Sequence, residues 1–186
     1  MAQQKTCFVI SPIGDVDSDI RQHANDVYDL VIEPALEKYN FHVWRADKKY
    51  SGTDIKEEMI ADIHDCDLCI VLLTGFNPNV MYEFGLRHET GKPFILLLDS
   101  KEMNNNPFDT ASLKTFPYDI SDPRSIRNVQ KMIGERVEYE FDANYRPASK
   151  ATLSSLSAVL DDVILIDGAL TESDVAALAA YYGVAN

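Results

Sequence analysis

Five short apolar runs punctuate the chain: Thr6–Ile10, Phe41–Ala46, Leu68–Leu73, Phe94–Leu98 and Leu113–Tyr118. Leu68–Leu73 and Phe94–Leu98 have the length and the Ile/Val/Leu content of strands covered on both faces. Between the runs the apolar spacing becomes helical. Ile20, Ala24, Val27, Tyr28, Val31, Ile32 and Ala35 mark the buried face of one helix, which ends near Tyr39-Asn40. Ile55, Met59, Ile60 and Ile63 mark another behind a Thr53 cap. A third helix starts at Asn77-Pro78, because Asn is a good N-cap and proline's missing N–H has no intrahelical partner at the first position. Gly91 stops it before Lys92-Pro93. Ser121 and Asp122 introduce a fourth, from about Pro123 to Tyr139. The order β-α-β-α-β-α-β-loop-β-α predicts an α/β fold with a doubly wound, flavodoxin-like parallel sheet of about five strands.

The connecting segments divide into turns and longer loops. Ser11-Pro12-Ile13-Gly14 turns out of the first strand, and Asp47–Gly52 follows the second. The Asn-rich Lys101–Asp109 segment is expected to be an irregular, mobile loop able to cover a site. Residues 1–140 form the predicted domain and residues 141–186 a linker (Phe141–Lys150) plus a small, largely helical appendage. In that appendage a helix (Ala151–Leu160), an apolar strand-like run (Val163–Ile166) and a helix capped by Thr171 are expected, serving intramolecular packing or oligomerisation.

Composition narrows the classes. With 186 residues, 46% apolar and 25% charged, the chain can bury a real core. No apolar run approaches the roughly 20 residues of a membrane span, and Met1–Ile10 lacks the pattern of a secretory leader. Three cysteines, Cys7, Cys66 and Cys69, read as structural thiols of a cytoplasmic protein, since no second Cys/His pair of ligand spacing follows. The four histidines are scattered, and neither a metal nor a cofactor is expected. Net charge is −13, with no lysine or arginine after Lys150. That argues against nucleic acid or anionic membrane as partner, because both require a basic patch. A small anionic nucleotide remains compatible, because backbone N–H groups and one or two local cations suffice to hold it.

Open α/β sheets place ligands beyond the carboxyl ends of their strands. Ser11, Pro12 and Gly14 follow strand one there, Asp47 strand two, Thr74 to Asn79 strand three and Asp99 strand four. The Ser-Pro-Gly turn can present N–H groups to a phosphate, although its spacing matches neither a P-loop nor a dinucleotide fingerprint. Glu83 stands about two turns into the third helix, four residues before Arg87 and so on one face with it. A lone carboxylate so placed suits attack on, or electrostatic stabilisation of, a sugar anomeric carbon. By spacing alone, a simple Glu83–Arg87 pair on a solvated helix face is the other reading.

Three stretches carry a resemblance: CFVISPIG, GTDIKEEMIADIHDCDLCIVLLTG and NPNVMYEFGLRHETGKPFILLL. Over residues 6–120 the chain resembles the superfamily of nucleoside 2-deoxyribosyltransferases, nucleotide N-hydrolases and bacterial TIR-like domains. The resemblance implies that Glu83 is catalytic and that Ser11, Pro12, Ile13 and Gly14 contact substrate, with Ser11 and Gly14 expected to hold phosphate. It implies that Asn77 and Asn79 orient ribose hydroxyls, that Asp47, Thr74 and Tyr82 bind substrate, and that Arg87 pairs with Glu83 or with phosphate. The deoxyribosyltransferases carry aspartates where this chain has Leu72 and Asn77. The resemblance therefore points to cleavage of a base–ribose bond with NAD+ as substrate rather than cofactor, in a homo-oligomer of the kind found in bacterial anti-phage defence. Deoxyribosyl transfer, nucleoside-monophosphate hydrolysis and a non-catalytic nucleotide-sensing domain are the alternatives.

Overall fold

The computed structural model describes residues 4–46, 55–106 and 113–141. Five strands form one all-parallel sheet: β1 (Lys5–Ile10), β2 (Phe41–Arg45), β3 (Leu68–Leu72), β4 (Phe94–Asp99) and β5 (Thr115–Tyr118), ordered β2-β1-β3-β4-β5. Each matches its expected run to within two residues. The chain moves outward from β1 to β2, then returns to place β3 on the other side of β1, with Cys7 opposite Leu68 and Ile10 opposite Val71. The connection reverses direction between β1 and β3, and that is the switch point where open sheets of this order bind ligands. The fold is the doubly wound α/β architecture expected.

Helices cover both faces because β3 and β4 are apolar on both. On one face Cys7, Val9, Leu68, Ile70, Leu72, Ile95 and Leu97 pack against two layers of helix. One is α1 (Asp19–Val27) continuing into α2 (Glu33–Leu36), the other α5 (Pro123–Glu140). By strand alternation, Phe8, Ile10, Cys69, Val71, Leu96 and Leu98 meet α3 (Ile55–Asp65) and α4 (Pro78–Glu89). Ile63, Val80, Met81 and Phe84 fill that layer. Among the described residues, no helix is long and apolar enough to cross a membrane.

Two departures from the expected pattern have plain causes. The long first helix widens into a π-turn at Tyr28–Ile32, where the Glu33 N–H donates to the Tyr28 carbonyl five residues back. Pro34 lies one turn on; it lacks an N–H and its ring crowds the Leu30 carbonyl, which instead accepts from Gln130 Nε2 of α5 at 2.8 Å. Ile20, expected on the buried face, is 55% exposed, and Ile13 and Val16 in the loop before it are exposed as well. All three sit where α1 begins, at the rim of the sheet. Ser100–Asn105, expected to be irregular, forms a 3₁₀ turn capped by Asp99, whose Oδ1 accepts from the Lys101 N–H. The expectations for Thr53, for Pro107–Asp109 and for residues 142–186 lie outside the described residues, as does the substrate role expected of Asp47.

Arg87 is the largest correction. Rather than facing solvent or Glu83, its side chain is fully buried at the amino edge of the sheet. Nε and Nη2 donate to the Pro93 carbonyl at 3.2 and 2.8 Å, and Nη2 also to the Asp67 carbonyl at 3.1 Å. Nη1 donates to the Ile63 and Cys66 carbonyls at 2.8 and 3.0 Å. The guanidinium thus meets carbonyls at the C-terminus of α3 and at the entries to β3 and β4 through every one of its nitrogens. The negative end of the α3 dipole supplies the countercharge that a carboxylate would otherwise provide. Beside it, Cys66 and Cys69 are free, with sulfurs 3.4 Å apart.

Replacing Arg87 by Met should cost at least about 3 kcal/mol, because it strands several buried carbonyls. Lys should recover only a fraction, since one ammonium cannot reproduce the fork. Urea denaturation of the two variants checks this; a loss below about 1 kcal/mol for Met would show that water satisfies the carbonyls instead.

Candidate functional site

Two loops meet at the switch point. The first is Ser11–Gly14. Ser11 is 7% exposed, and its buried hydroxyl has no hydrogen-bond partner among the described residues. Pro12 is buried beside it, whereas Ile13 is exposed. Gly14 is left-handed at φ +57°, and a Cβ there would lie 2.6 Å from Ser18 Oγ. Glycine is thus required twice over, by conformation and by space. Ser18 caps α1: its Oγ accepts from the Arg21 N–H at 3.2 Å and donates to the Asp15 carbonyl at 2.8 Å. Arg21 folds back onto the same loop, Nη1 donating to the Ile13 carbonyl at 3.2 Å.

The second loop joins β3 to α4. Gly75 and Phe76 are both left-handed, at φ +79° and +45°. For phenylalanine that conformation costs on the order of 1 kcal/mol. Phe76 N–H donates to the Leu73 carbonyl at 2.7 Å, and the tight turn delivers Asn77 as the cap of α4. Asn77 Oδ1 accepts from the N–H groups of Asn79 and Val80 at 2.9 and 3.4 Å. The capping role expected of Asn77 is therefore seen, and its side-chain oxygen is committed to it.

Thr74 is committed as well. Its hydroxyl accepts from the Asp99 N–H at 3.0 Å and lies 2.6 Å from the Tyr118 hydroxyl, which lies 2.8 Å from His23 Nε2. This string ties the carboxyl ends of β3, β4 and β5 to α1. Burial pushes the Tyr118 hydroxyl well above its ordinary pKa. Nearby, Glu102 reaches from the 3₁₀ turn to accept the Gly75 N–H at 2.8 Å.

Glu83 is the distinctive side chain. It lies in the second turn of α4, and among the described residues no hydrogen bond or ion pair reaches its carboxylate. Burial alone raises its pKa from 4.5 to about 7. The Asp119 carboxyl, by contrast, is lowered by its bonds from Ser121. A carboxyl that holds its charge weakly at neutral pH, beside a switch point, has the signature of a reacting group.

Of the expected site residues, Ser11, Pro12, Ile13 and Gly14 form the first loop, Thr74 and Asn77 belong to the second, and Asn79 stands in the first turn of α4. Tyr82, 38% exposed, and Glu83 follow on α4. Arg87 is excluded from the site: the helix carries it one turn past Glu83, to the opposite edge of the sheet. Sequence reasoning missed Arg21, Glu102, Tyr118 and His23. Arg21 was hidden beside the acidic residues of the Asp15–Asp19 loop, although its place three residues after a serine cap put it in the first turn of α1. Among the described residues, no cluster of three or more His, Cys, Asp or Glu side chains could hold a metal ion.

No known family model matches the chain, and no curated protein is detectably similar to it in sequence. Solved structures similar to it include a CMP N-glycosidase, BcmB, from Clostridium botulinum, 22% identical with a TM-score of 0.46, covering 69% of this chain and 97% of that one. A 2-deoxyribosyltransferase from Leishmania mexicana is 18% identical with a TM-score of 0.40, covering 50% of this chain and 64% of that one. The TIR domains of the activated Roq1 resistosome are 11% identical with a TM-score of 0.38, covering 86% and 99%.

The raised Glu83 pKa has a signed consequence for stability. The unfolded chain releases this proton near pH 4.5 and the folded chain near pH 7, so folding is penalised progressively between those values and fully above pH 7. Glu83→Gln should match wild type at pH 4.5 and exceed it at pH 8 by up to about 3 kcal/mol. Denaturant unfolding at both pH values tests this. An equal difference at the two would mean that Glu83 ionises normally.

Proposed function

We propose that the protein cleaves the N-glycosidic bond between base and ribose in a nucleotide, with Glu83 as the reacting carboxylate and NAD+ as the preferred substrate. The observation that carries this reading is Glu83 itself: a half-buried carboxyl with no partner among the described residues, on the helix that follows β3, while the loop after β1 holds a buried hydroxyl, Ser11, that has none among them either. Ionised, Glu83 can stabilise positive charge developing at the anomeric carbon or attack it from the face opposite the base. The bond electrons leave with the base, and water then takes the ribosyl group.

Charge favours NAD+ within this class. Nicotinamide linked to ribose is a cation, and it departs neutral without needing a proton. A lone carboxylate then suffices, and a cation beside it lowers its pKa and restores the reactive form. A neutral base such as cytosine requires a proton donor as it leaves. The core position of Leu72 and the capping role of Asn77 leave no carboxylate at the two places where the resemblance puts the transferases' aspartates.

The experiment is an HPLC time course offering NAD+, nucleoside monophosphates and deoxynucleosides in parallel, at high protein concentration, with Glu83→Gln as control. Nicotinamide released by wild type, with the variant slower by roughly a thousandfold or more, supports the reading. Its kcat/KM should rise with pH to a plateau above about 7, following Glu83 ionisation. Free base from a deoxynucleoside with NAD+ left intact would favour the transferase class. Tight nucleotide binding with no product would favour a sensor.

A further inference from the structure

A helix leaves its last four C=O groups without intrahelical partners. At the end of α3 two cations take them. Arg87 Nη1 takes the carbonyls of Ile63 and Cys66, and the exposed Lys92 takes those of His64 and Asp65 through Nζ, at 2.6 and 3.2 Å. The negative pole that would repel an anion here is thereby covered by two positive charges. Cys66 is the first residue past that helix and Cys69 the second residue of β3. Arg87 Nη1 lies 3.6 Å from the Cys66 sulfur, which lies 3.4 Å from the Cys69 sulfur.

The three thiols of the chain are not equivalent. Cys66 is 4% exposed, whereas Cys69 and Cys7 are wholly covered. The hydrogen bond from Cys69, then the Arg87 and Lys92 charges, hold the Cys66 thiol below its ordinary pKa against the opposing effect of burial. Burial pushes the Cys69 and Cys7 thiols well up. A thiolate between cations, slightly exposed and in contact with a second thiol that keeps its proton, is the arrangement of a reactive cysteine with its resolving partner. The structural role expected of all three thiols fits Cys7 alone.

We propose that Cys66 and Cys69 form an oxidisable dithiol at the root of α4, in which Cys66 attacks a peroxide and Cys69 closes the intrachain disulfide. A peroxide is small enough to reach a sulfur with so little exposure, and a bulky disulfide is not. The Cys66 sulfur bonds to one peroxide oxygen as the O–O bond breaks, and the departing hydroxide leaves as water with a proton from solvent. The Cys69 sulfur then attacks the Cys66 sulfenic acid: the S–S bond forms, the S–O bond breaks, and the Cys69 proton leaves with the hydroxide as a second water. The dithiol gives up two electrons and one peroxide is reduced to two waters. Closure takes from Arg87 Nη1 a sulfur that accepts its hydrogen bond, and the same guanidinium ties α4 to the sheet. Oxidation therefore acts on the anchor of the helix that carries Glu83.

The test adds hydrogen peroxide to the reduced full chain at neutral pH and follows the thiols by quenching, alkylation and peptide mass spectrometry. The Cys66–Cys69 disulfide should form roughly tenfold or more faster in the folded chain than in the urea-unfolded chain at the same pH, because folding supplies both the cations and the paired sulfurs. Cys7 should remain free to alkylate. A folded chain that is no faster than the unfolded one, or oxidation to sulfinic acid without a disulfide, overturns the proposal and makes the pair structural. Cys69→Ser should leave Cys66 as a sulfenic acid that dimedone traps; absence of the adduct overturns Cys66 as the attacking sulfur. Lys92→Gln, a change at an exposed residue, should slow disulfide formation roughly two- to fivefold. An unchanged or faster rate overturns activation by the two cations and points to local opening instead. Amide exchange in α4 should rise on oxidation and return after dithiothreitol, and unchanged exchange overturns the link to α4.

Discussion

Arg87 holds the architecture together. Its guanidinium is the only multi-armed donor among the described residues that ties the end of α3 and the entries to β3 and β4 to one point. A buried cation is costly unless every N–H is satisfied, and here backbone dipoles satisfy them. Because Arg87 sits on α4, the same bonds fix the position of that helix against the sheet. One turn back along the helix they fix Glu83. The anchor at the amino edge thus determines where the Glu83 carboxyl stands.

The two charged residues of that helix are treated in opposite ways. Arg87 is given every partner it can use, while Glu83 has none among the described residues and is held near neutrality by burial alone. The first arrangement stabilises the fold; the second costs stability at and above neutral pH. The cost is localised at the switch point, together with the unpartnered Ser11 hydroxyl and the left-handed Phe76 backbone. These three unfavourable features lie in the segments that follow β1 and β3, in a sheet otherwise packed with complementary apolar residues, and they are the local costs on which the proposed site rests.

Around this point the carboxyl edge is organised by hydrogen bonds rather than by charge pairs. The string from His23 through Tyr118 and Thr74 to the Asp99 N–H links α1 to three strands, and Glu102 fastens the 3₁₀ turn to Gly75. These contacts join residues up to 95 positions apart in sequence. They make the loops after β3 and β4 part of the scaffold, while the Ser11–Gly14 loop is held to the start of α1 by Ser18 and Arg21.

The parallel sheet, the helix starts at Asn77 and Asp122, and the location of Glu83 were all legible along the chain. Those features follow from local rules: apolar run length, cap chemistry, and a spacing of four along a helix. Folding chose which partner each polar group takes. Spacing placed Arg87 on one face with Glu83, yet the carbonyls of Ile63, Cys66, Asp67 and Pro93 won its guanidinium. Satisfying every buried N–H outweighs a single part-exposed ion pair. Spacing likewise offered Thr74 to a ligand, whereas Tyr118, 44 residues on, occupies it. Arg21 was unremarked beside an acidic stretch until the β1–α1 loop folded it back over Ile13. Hydrogen-bond partners distant in the chain have no local signature, and for that reason the elements that carry the candidate site could be read from sequence while the partners of its side chains required the fold.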